Sequence, residues 1–189
     1  RVLALALVYF GTSAGLYTLG IWSPQIIRSF GASSLEIGFL NAFPAVIGVI
    51  AMILWARHSD RTKERSWHVI GACLLAGAGL IYAGNVSTLF TVMVALTLVT
   101  VGISASKPPL WSMPTLFLSG PAAAINSIGN LGGFVGPMMI GVIREQTGSY
   151  SWGLYFVAGL LALSALVVMI LSARANKSPT AELPHPHTH

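Results

Sequence analysis

The 189 residues read as an all-α membrane protein, a bundle of six transmembrane helices. Charge is scarce: Lys and Arg number 10, Asp and Glu 5, together 8% of the chain. A soluble domain carries about 25% and covers its surface with those residues. Hydrophobic residues reach 54% and the mean hydropathy is +0.77. The charges also sit apart, leaving uncharged stretches at 2–27, 37–56, 66–106, 108–143 and 146–173. A helix crosses a bilayer in about 20 apolar residues, and no alternating ten-residue pattern of a membrane β-barrel is present.

Each span follows from these stretches. The first is Val2–Trp22, too long for a signal peptide and without a small-residue cleavage site before a polar domain. The second is Ile37–Ala56. Ahead of it, Ser33 and Glu36 have capping-box spacing, with Ser33 as N-cap. The long third stretch holds two spans, Trp67–Gly84 and Thr88–Ala105, divided by the polar turn Asn85-Val86-Ser87. The fifth is Pro121–Ile143, with Pro121 in the first turn, where a missing N–H is harmless. Thr147-Gly148-Ser149 turns the chain into the sixth, Tyr150–Ala173. Residues 176–189 hold three prolines and no apolar run, and are expected to be disordered.

Six spans put both termini on one side. Arg1, Arg57, Arg61, Lys63, Arg65, Arg174 and Lys177 then share that side, against Arg28 and Arg144 on the other. The positive-inside rule makes the richer side cytoplasmic. The basic residues are few and confined to connections, which excludes a nucleic-acid partner; the expected surroundings are the lipid bilayer. The chain opens on Arg1 with its first span at once, which suggests a piece of a longer protein. The 20 glycines suit closely packed membrane helices.

The fourth span raises a choice. From Thr88 to Leu118 the only charge is Lys107, followed by Pro108, Pro109 and Pro114 with Trp111 among them. Proline inside a helix costs about 3 kcal/mol and survives in membranes where backbone is buried or lines a cavity. Either Lys107 is the cytoplasmic flank and 108–120 an apolar loop, or the span is broken, runs on towards 118 and carries Lys107 at membrane depth. The second reading makes Lys107 a functional candidate, since an intramembrane charge needs a cavity or a partner. Broken helices of this kind mark transporter binding sites.

Two helix faces carry polar groups. Asn126 and Asn130 are four residues apart and share a face with Gly133 and Pro137. Two carboxamides one turn apart can bind a hydroxyl or carboxylate ligand; the competing role is interhelical bonding. Tyr9, Ser13 and Tyr17 fall at i, i+4 and i+8 on the first span, a stripe suited to a polar cavity or to ordinary packing. In the connection Ala56–Arg65, Asp60 could accept hydrogen bonds from a neighbouring helix N-terminus when that end of the bundle closes. That would make the connection a latch as well as an orientation signal. Trp22 and Trp152 suit interfacial anchors. Cys73 is the single cysteine and reads as a buried small residue. No nucleophile–base set, HExxH or phosphate loop exists, so no enzyme, cofactor or metal site is implied. The alternating His185, His187 and His189 lack the fixed geometry of a metal site.

Four stretches carry a resemblance: Ile21-Trp22-Ser23-Pro24; Ser59-Asp60-Arg61-Thr62-Lys63-Glu64-Arg65; Leu110-Trp111-Ser112-Met113-Pro114-Thr115 with Phe117-Leu118-Ser119-Gly120; and Ile125 through Pro137. With them residues 1–175 resemble the C-terminal half of a major facilitator superfamily transporter. Within it they are similar to the anion:cation symporter group, in its tartrate and phthalate permease branch. The resemblance implies one half of a twelve-helix fold and a secondary transporter moving small organic anions, usually with protons, by alternating access. It implies a missing N-terminal six-span half, in which the proton-coupling acids mainly lie; a second copy of this chain is the alternative partner, and a non-transporting membrane scaffold the alternative function. The family's cavity helices match the first, second, fourth and fifth spans, hence Tyr9, Ser13, Tyr17, Lys107, Trp111, Asn126 and Asn130 as substrate contacts. Asp60, Arg61 and Arg65 match the latch. Departures are Ala56 and Lys63 at glycine positions of the loop motif, Lys107 where the pattern is usually uncharged, and a shortened Pro121-Ala122-Ala123-Ala124.

Overall fold

The computed structural model describes residues 2–113 and 119–176. The expectations placed on Arg1, on the run from Pro114 to Leu118 and on the tail from Lys177 to His189 lie outside the described residues. Six helices make up the described part: α1 (Val2–Arg28), α2 (Ser34–Thr62), α3 (Arg65–Asn85), α4 (Leu89–Trp111), α5 (Ser119–Thr147) and α6 (Ser151–Asn176). They overrun the apolar stretches at most ends. Apolarity measures the part fit for hydrocarbon, whereas a helix stops where its terminal groups are capped.

The caps are visible. Ser33 takes the Glu36 N–H on its side chain and the Glu36 carboxylate takes the Ser33 N–H at 2.7 Å, a complete capping box at the start of α2. Thr88 accepts from the Thr91 N–H at the start of α4. Gly148, at φ 73, closes α5 by donating its N–H to the Arg144 carbonyl at 2.7 Å. Lys63 closes α2 at φ 55, a left-handed position that glycine would fill without strain.

Six membrane spans were expected. Five helices are long and apolar enough to cross a membrane: α1, α2, α3, α4 and α6. α5 is not among them, because Asn126, Ser127, Asn130 and its glycines dilute its apolar content. It is nonetheless the main packing partner of α1. α3 packs against α4 and α6, α2 lies mostly on α4, and α2 barely meets α3. The shared core includes Val8, Ile27, Val69, Leu80, Val99, Ile103, Ile140 and Leu161. α2 is the least covered helix. It leaves Phe39, Phe43, Val46, Ile50 and Ile53 exposed, an apolar face suited to lipid or to another bundle.

Glycine brings the helices close. A Cβ on Gly102 would fall 2.6 Å from the Ala72 carbonyl, so α3 and α4 touch backbone to backbone there. A Cβ on Gly15 would meet the Ile103 side chain at 2.5 Å, and one on Gly48 the Thr100 side chain at 2.9 Å. These contacts put Gly15, Gly48 and Gly102 at one level, near the middle of α1, α2 and α4.

Candidate functional site

The site expected from the sequence centres on the seam between α1 and α5. The two helices run in the same direction, with Phe10 against Gly132 and Ala14 against Gly136. Gly129 and Gly133 take the aromatic rings. A Cβ on Gly129 would lie 1.8 Å from Cδ1 of Tyr9, and one on Gly133 2.5 Å from Cδ2 of Tyr17. Tyr17 reaches back to Gly133 because helical side chains lean towards the N-terminus. The Tyr9 ring meets Trp111 edge to face, centroids 5.1 Å apart at 74°. Trp111 is the last residue of α4, so this pair ties three helices together. Behind it the space among Leu5, Tyr9, Leu110, Trp111 and Ile125 is filled by side chains.

The polar side chains divide between inside and outside. Tyr17 is 47% exposed and Trp111 38%. Asn126 and Asn130 are exposed on the α5 face beside the glycine seam. Neither makes a hydrogen bond among the described residues, so neither serves as glue within this bundle. Ser13, grouped with the tyrosines by spacing, is buried at 3% exposure. Tyr9 is half-buried. The i, i+4, i+8 stripe is therefore not uniform: Tyr9 is part-covered by Trp111 and α5, Ser13 is buried and Tyr17 is open.

Lys107 lies within α4, which continues through Pro108 and Pro109 to Trp111. Of the two sequence alternatives, the helix is neither broken at Lys107 nor replaced by a loop directly after it. The two prolines remove the N–H donors that would bond the Ser104 and Ala105 carbonyls, and the helix closes just beyond them, where Ser112 donates its N–H to the Pro108 carbonyl at 3.0 Å. Lys107 is half-buried and forms no ion pair among the described residues. It sits five residues beyond Gly102, roughly 7.5 Å along the axis at 1.5 Å per residue.

At the same end of the bundle, Asp60 and Arg65 approach to 3.7 Å, with side chains 69% and 34% exposed. This pair joins the end of α2 to the first residue of α3 across the short connection between them. One terminal nitrogen of Arg65 is buried without a hydrogen-bond partner among the described residues. Arg61 is exposed.

Two clusters had no place in the sequence reading. Arg144 stacks over the Tyr150 ring at 4.5 Å, beside Trp22, whose indole N–H donates to the Pro137 carbonyl at 3.1 Å. This fixes Trp22, expected as an interfacial anchor, to α5. At the opposite end His58, His68 and Trp55 form a tight aromatic group. The only sequence signal for it was two histidines flanking the α2–α3 connection. A separate open groove of about 520 Å³ runs between α2 and α4, lined by Leu40, Phe43, Phe90, Met93 and other apolar groups. It contains none of the expected site residues, and its lining suits hydrocarbon better than an anion.

The description "Major Facilitator Superfamily" matches residues 5–188, nearly the whole chain. The chain belongs to the Major Facilitator Superfamily. That family is one of membrane transporters and not of enzymes. A protein of Agrobacterium vitis named "Putative tartrate transporter" is 66% identical over 99% of this chain and 44% of its own length. A "Quinolone resistance transporter" of Acinetobacter baumannii is 34% identical over 95% of this chain and 43% of its own length. An "Inner membrane transport protein RhmT" of Escherichia coli is 30% identical over 94% of this chain and 42% of its own length. The chain thus spans less than half the length of these relatives.

Proposed function

We propose that the chain is the C-terminal six-helix half of a twelve-helix secondary transporter that carries small organic anions, tartrate-like dicarboxylates first, with protons by alternating access. The observation that carries this reading is the pair Asn126 and Asn130, exposed on α5 and without hydrogen-bond partners among the described residues. In lipid an unsatisfied carboxamide costs several kcal/mol. A water-filled cavity shared with a second bundle removes that cost, and α5 then crosses the membrane despite its polar middle. The relatives' greater length supports a second bundle as the partner, and the 66%-identical tartrate-named relative supports the substrate class.

Lys107 supplies the positive charge in this reading. If the level of Gly15, Gly48 and Gly102 is the bilayer centre, Lys107 lies within the hydrocarbon half-thickness of about 15 Å. An intramembrane lysine suits a substrate carboxylate. Tyr17, Trp111 and Tyr9 form the adjoining wall, with Ser13 behind it. The end bearing Asp60, Arg61 and Arg65 faces the cytoplasm with both termini, in an inner membrane, and opens and closes with the transport cycle.

The test is uptake of labelled tartrate by the full-length transporter in proteoliposomes. Asn126→Ala and Asn130→Ala should each raise KM about tenfold or more, the effect of losing hydrogen bonds to a charged group. Lys107→Gln should weaken a dicarboxylate more than a neutral polyol analogue. Unchanged KM in both Asn variants, or equal loss for acid and polyol in the Lys variant, would remove these residues from the site.

A further inference from the structure

α2 and α3 touch little along their length, and side chains from the two helices meet beside the turn that joins them. There Nδ1 of His58, on α2, lies 2.7 Å from Nε2 of His68, on α3. Trp55 donates its indole N–H to the His68 carbonyl at 3.1 Å and packs against both rings. His68 is 6% exposed, and its Nδ1 contacts the Glu64 carbonyl. His58 faces outward.

We propose that His58 and His68 form a proton-binding site that clamps α2 to α3 and changes strength with each proton it takes. It goes beyond the transport reading and does not rest on it. A carbonyl only accepts, so Nδ1 of His68 carries a hydrogen in the neutral pair. Its Nε2 is then a bare lone pair, and the bond between the rings requires Nδ1–H of His58 to donate. Nε2 of His58 is left free on the exposed side. A first proton enters there, making His58 an imidazolium that still donates to His68. The bond becomes charge-assisted and about twice as strong. A second proton has only Nε2 of His68 to occupy, where it replaces the acceptor by an N–H and sets two cations against each other. The ring centroids are 5.0 Å apart. Two unit charges at that distance repel enough, even in water, to shift an equilibrium about fourfold. The two protons belong to the pair and not to either ring alone.

The charged groups on the same hairpin are Arg57, Asp60, Arg61, Lys63, Glu64 and Arg65, and the helices ending on that side of the bundle carry Lys107 on α4 and Arg174 on α6. Among the described residues no carboxylate lies within 4.0 Å of either ring, so no fixed anion holds the second charge in place.

The test is hydrogen exchange of the peptide spanning residues 55–68 in the membrane-reconstituted protein from pH 8 to pH 5, corrected for intrinsic exchange. The expected profile has two steps: protection rises as the first proton binds, then falls about fourfold or more with the second. His58→Gln can still donate to His68 but does not titrate. It should keep protection at neutral pH and lose the rise. His58→Phe keeps the aromatic contact with Trp55 and should lose protection at neutral pH. His58 is exposed, so neither change threatens the core. A flat wild-type profile, the wild-type profile in His58→Gln, or full neutral-pH protection in His58→Phe would overturn the proposal.

Discussion

Replacing Gly132 by alanine tests the seam on which the candidate site is built. The added Cβ would sit 2.0 Å from the Phe10 carbonyl oxygen and 2.7 Å from its carbon. Ordinary contact begins near 3.4 Å, so α1 and α5 would have to separate by about 1.4 Å at that point. The obstacle is backbone, and no rotamer change relieves it. Overpacking of this kind costs about 1–3 kcal/mol. Gly159, on α6, is the control: a Cβ there meets nothing within 4 Å. Gly129 gives an intermediate case, because its Cβ would strike the Tyr9 ring, a side chain that can swing at the expense of its contact with Trp111. Thermal unfolding in detergent, followed by Trp fluorescence, should rank the variants Gly132→Ala lowest, Gly129→Ala next and Gly159→Ala at or above wild type, since alanine is favoured over glycine inside a helix by about 0.5–1 kcal/mol. A Gly132→Ala protein that melts with the Gly159→Ala control would show that the two backbones are not in contact, and the account of the seam would fail with it.

Two further perturbations read the helix ends. Lys63→Gly should stabilise the protein by up to about 1 kcal/mol, because a left-handed residue with a Cβ carries about 1–2 kcal/mol of strain and glycine returns part of that gain as chain entropy; Lys63→Val should destabilise it, with both effects read as shifts in unfolding midpoint. The capping box predicts acid sensitivity at the start of α2. The Ser33 backbone N–H, then its hydroxyl, holds the Glu36 carboxyl below its ordinary value. A lowered carboxyl stabilises the fold above its unfolded value and loses that contribution as pH falls through the folded one. Protection of the first turn of α2 against hydrogen exchange should therefore weaken only below the ordinary carboxylate range, and Glu36→Gln should remove that pH dependence.

The helical character and the helix ends were legible because they depend on local rules. Scarce charge located the apolar stretches, Ser33 and Glu36 announced the α2 cap, and Gly148 announced the turn into α6. What depends on neighbours was not legible. Tyr9, Ser13 and Tyr17 share a helical stripe, yet Ser13 is buried and Tyr17 open, since coverage depends on where α4 and α5 lie across α1. Lys107 looked like the edge of a loop or the site of a break, and only the register of Gly102 against α3 and Ile103 against Gly15 gives its level. Asp60 and Arg65 were singled out separately for the latch, but their pairing across the α2–α3 turn needed the geometry of Lys63. His58 and His68, ten residues apart and unremarked by any motif, meet because that turn folds α3 back along α2.

The composition of α5 explains how the one described helix outside the five membrane-crossing candidates is still the main packing partner of α1. Its glycines occupy the side facing α1, where they permit backbone approach and house the tyrosine rings. Van der Waals packing drives association between membrane helices, since lipid tails are as apolar as leucine. A glycine seam therefore fastens α5 without needing a continuous apolar face, and this leaves the adjacent face free to carry Asn126 and Asn130. Moving either asparagine onto the seam would bring a carboxamide against the Phe10 or Ala14 backbone. Filling the seam with leucine would restore hydrocarbon solubility but displace Tyr9 and Tyr17. The polar face and the glycine face thus depend on each other. A helix with this division is stable in a membrane only if something wetter than lipid covers its asparagines, and that requirement, more than any single residue, is what supports the proposed second bundle.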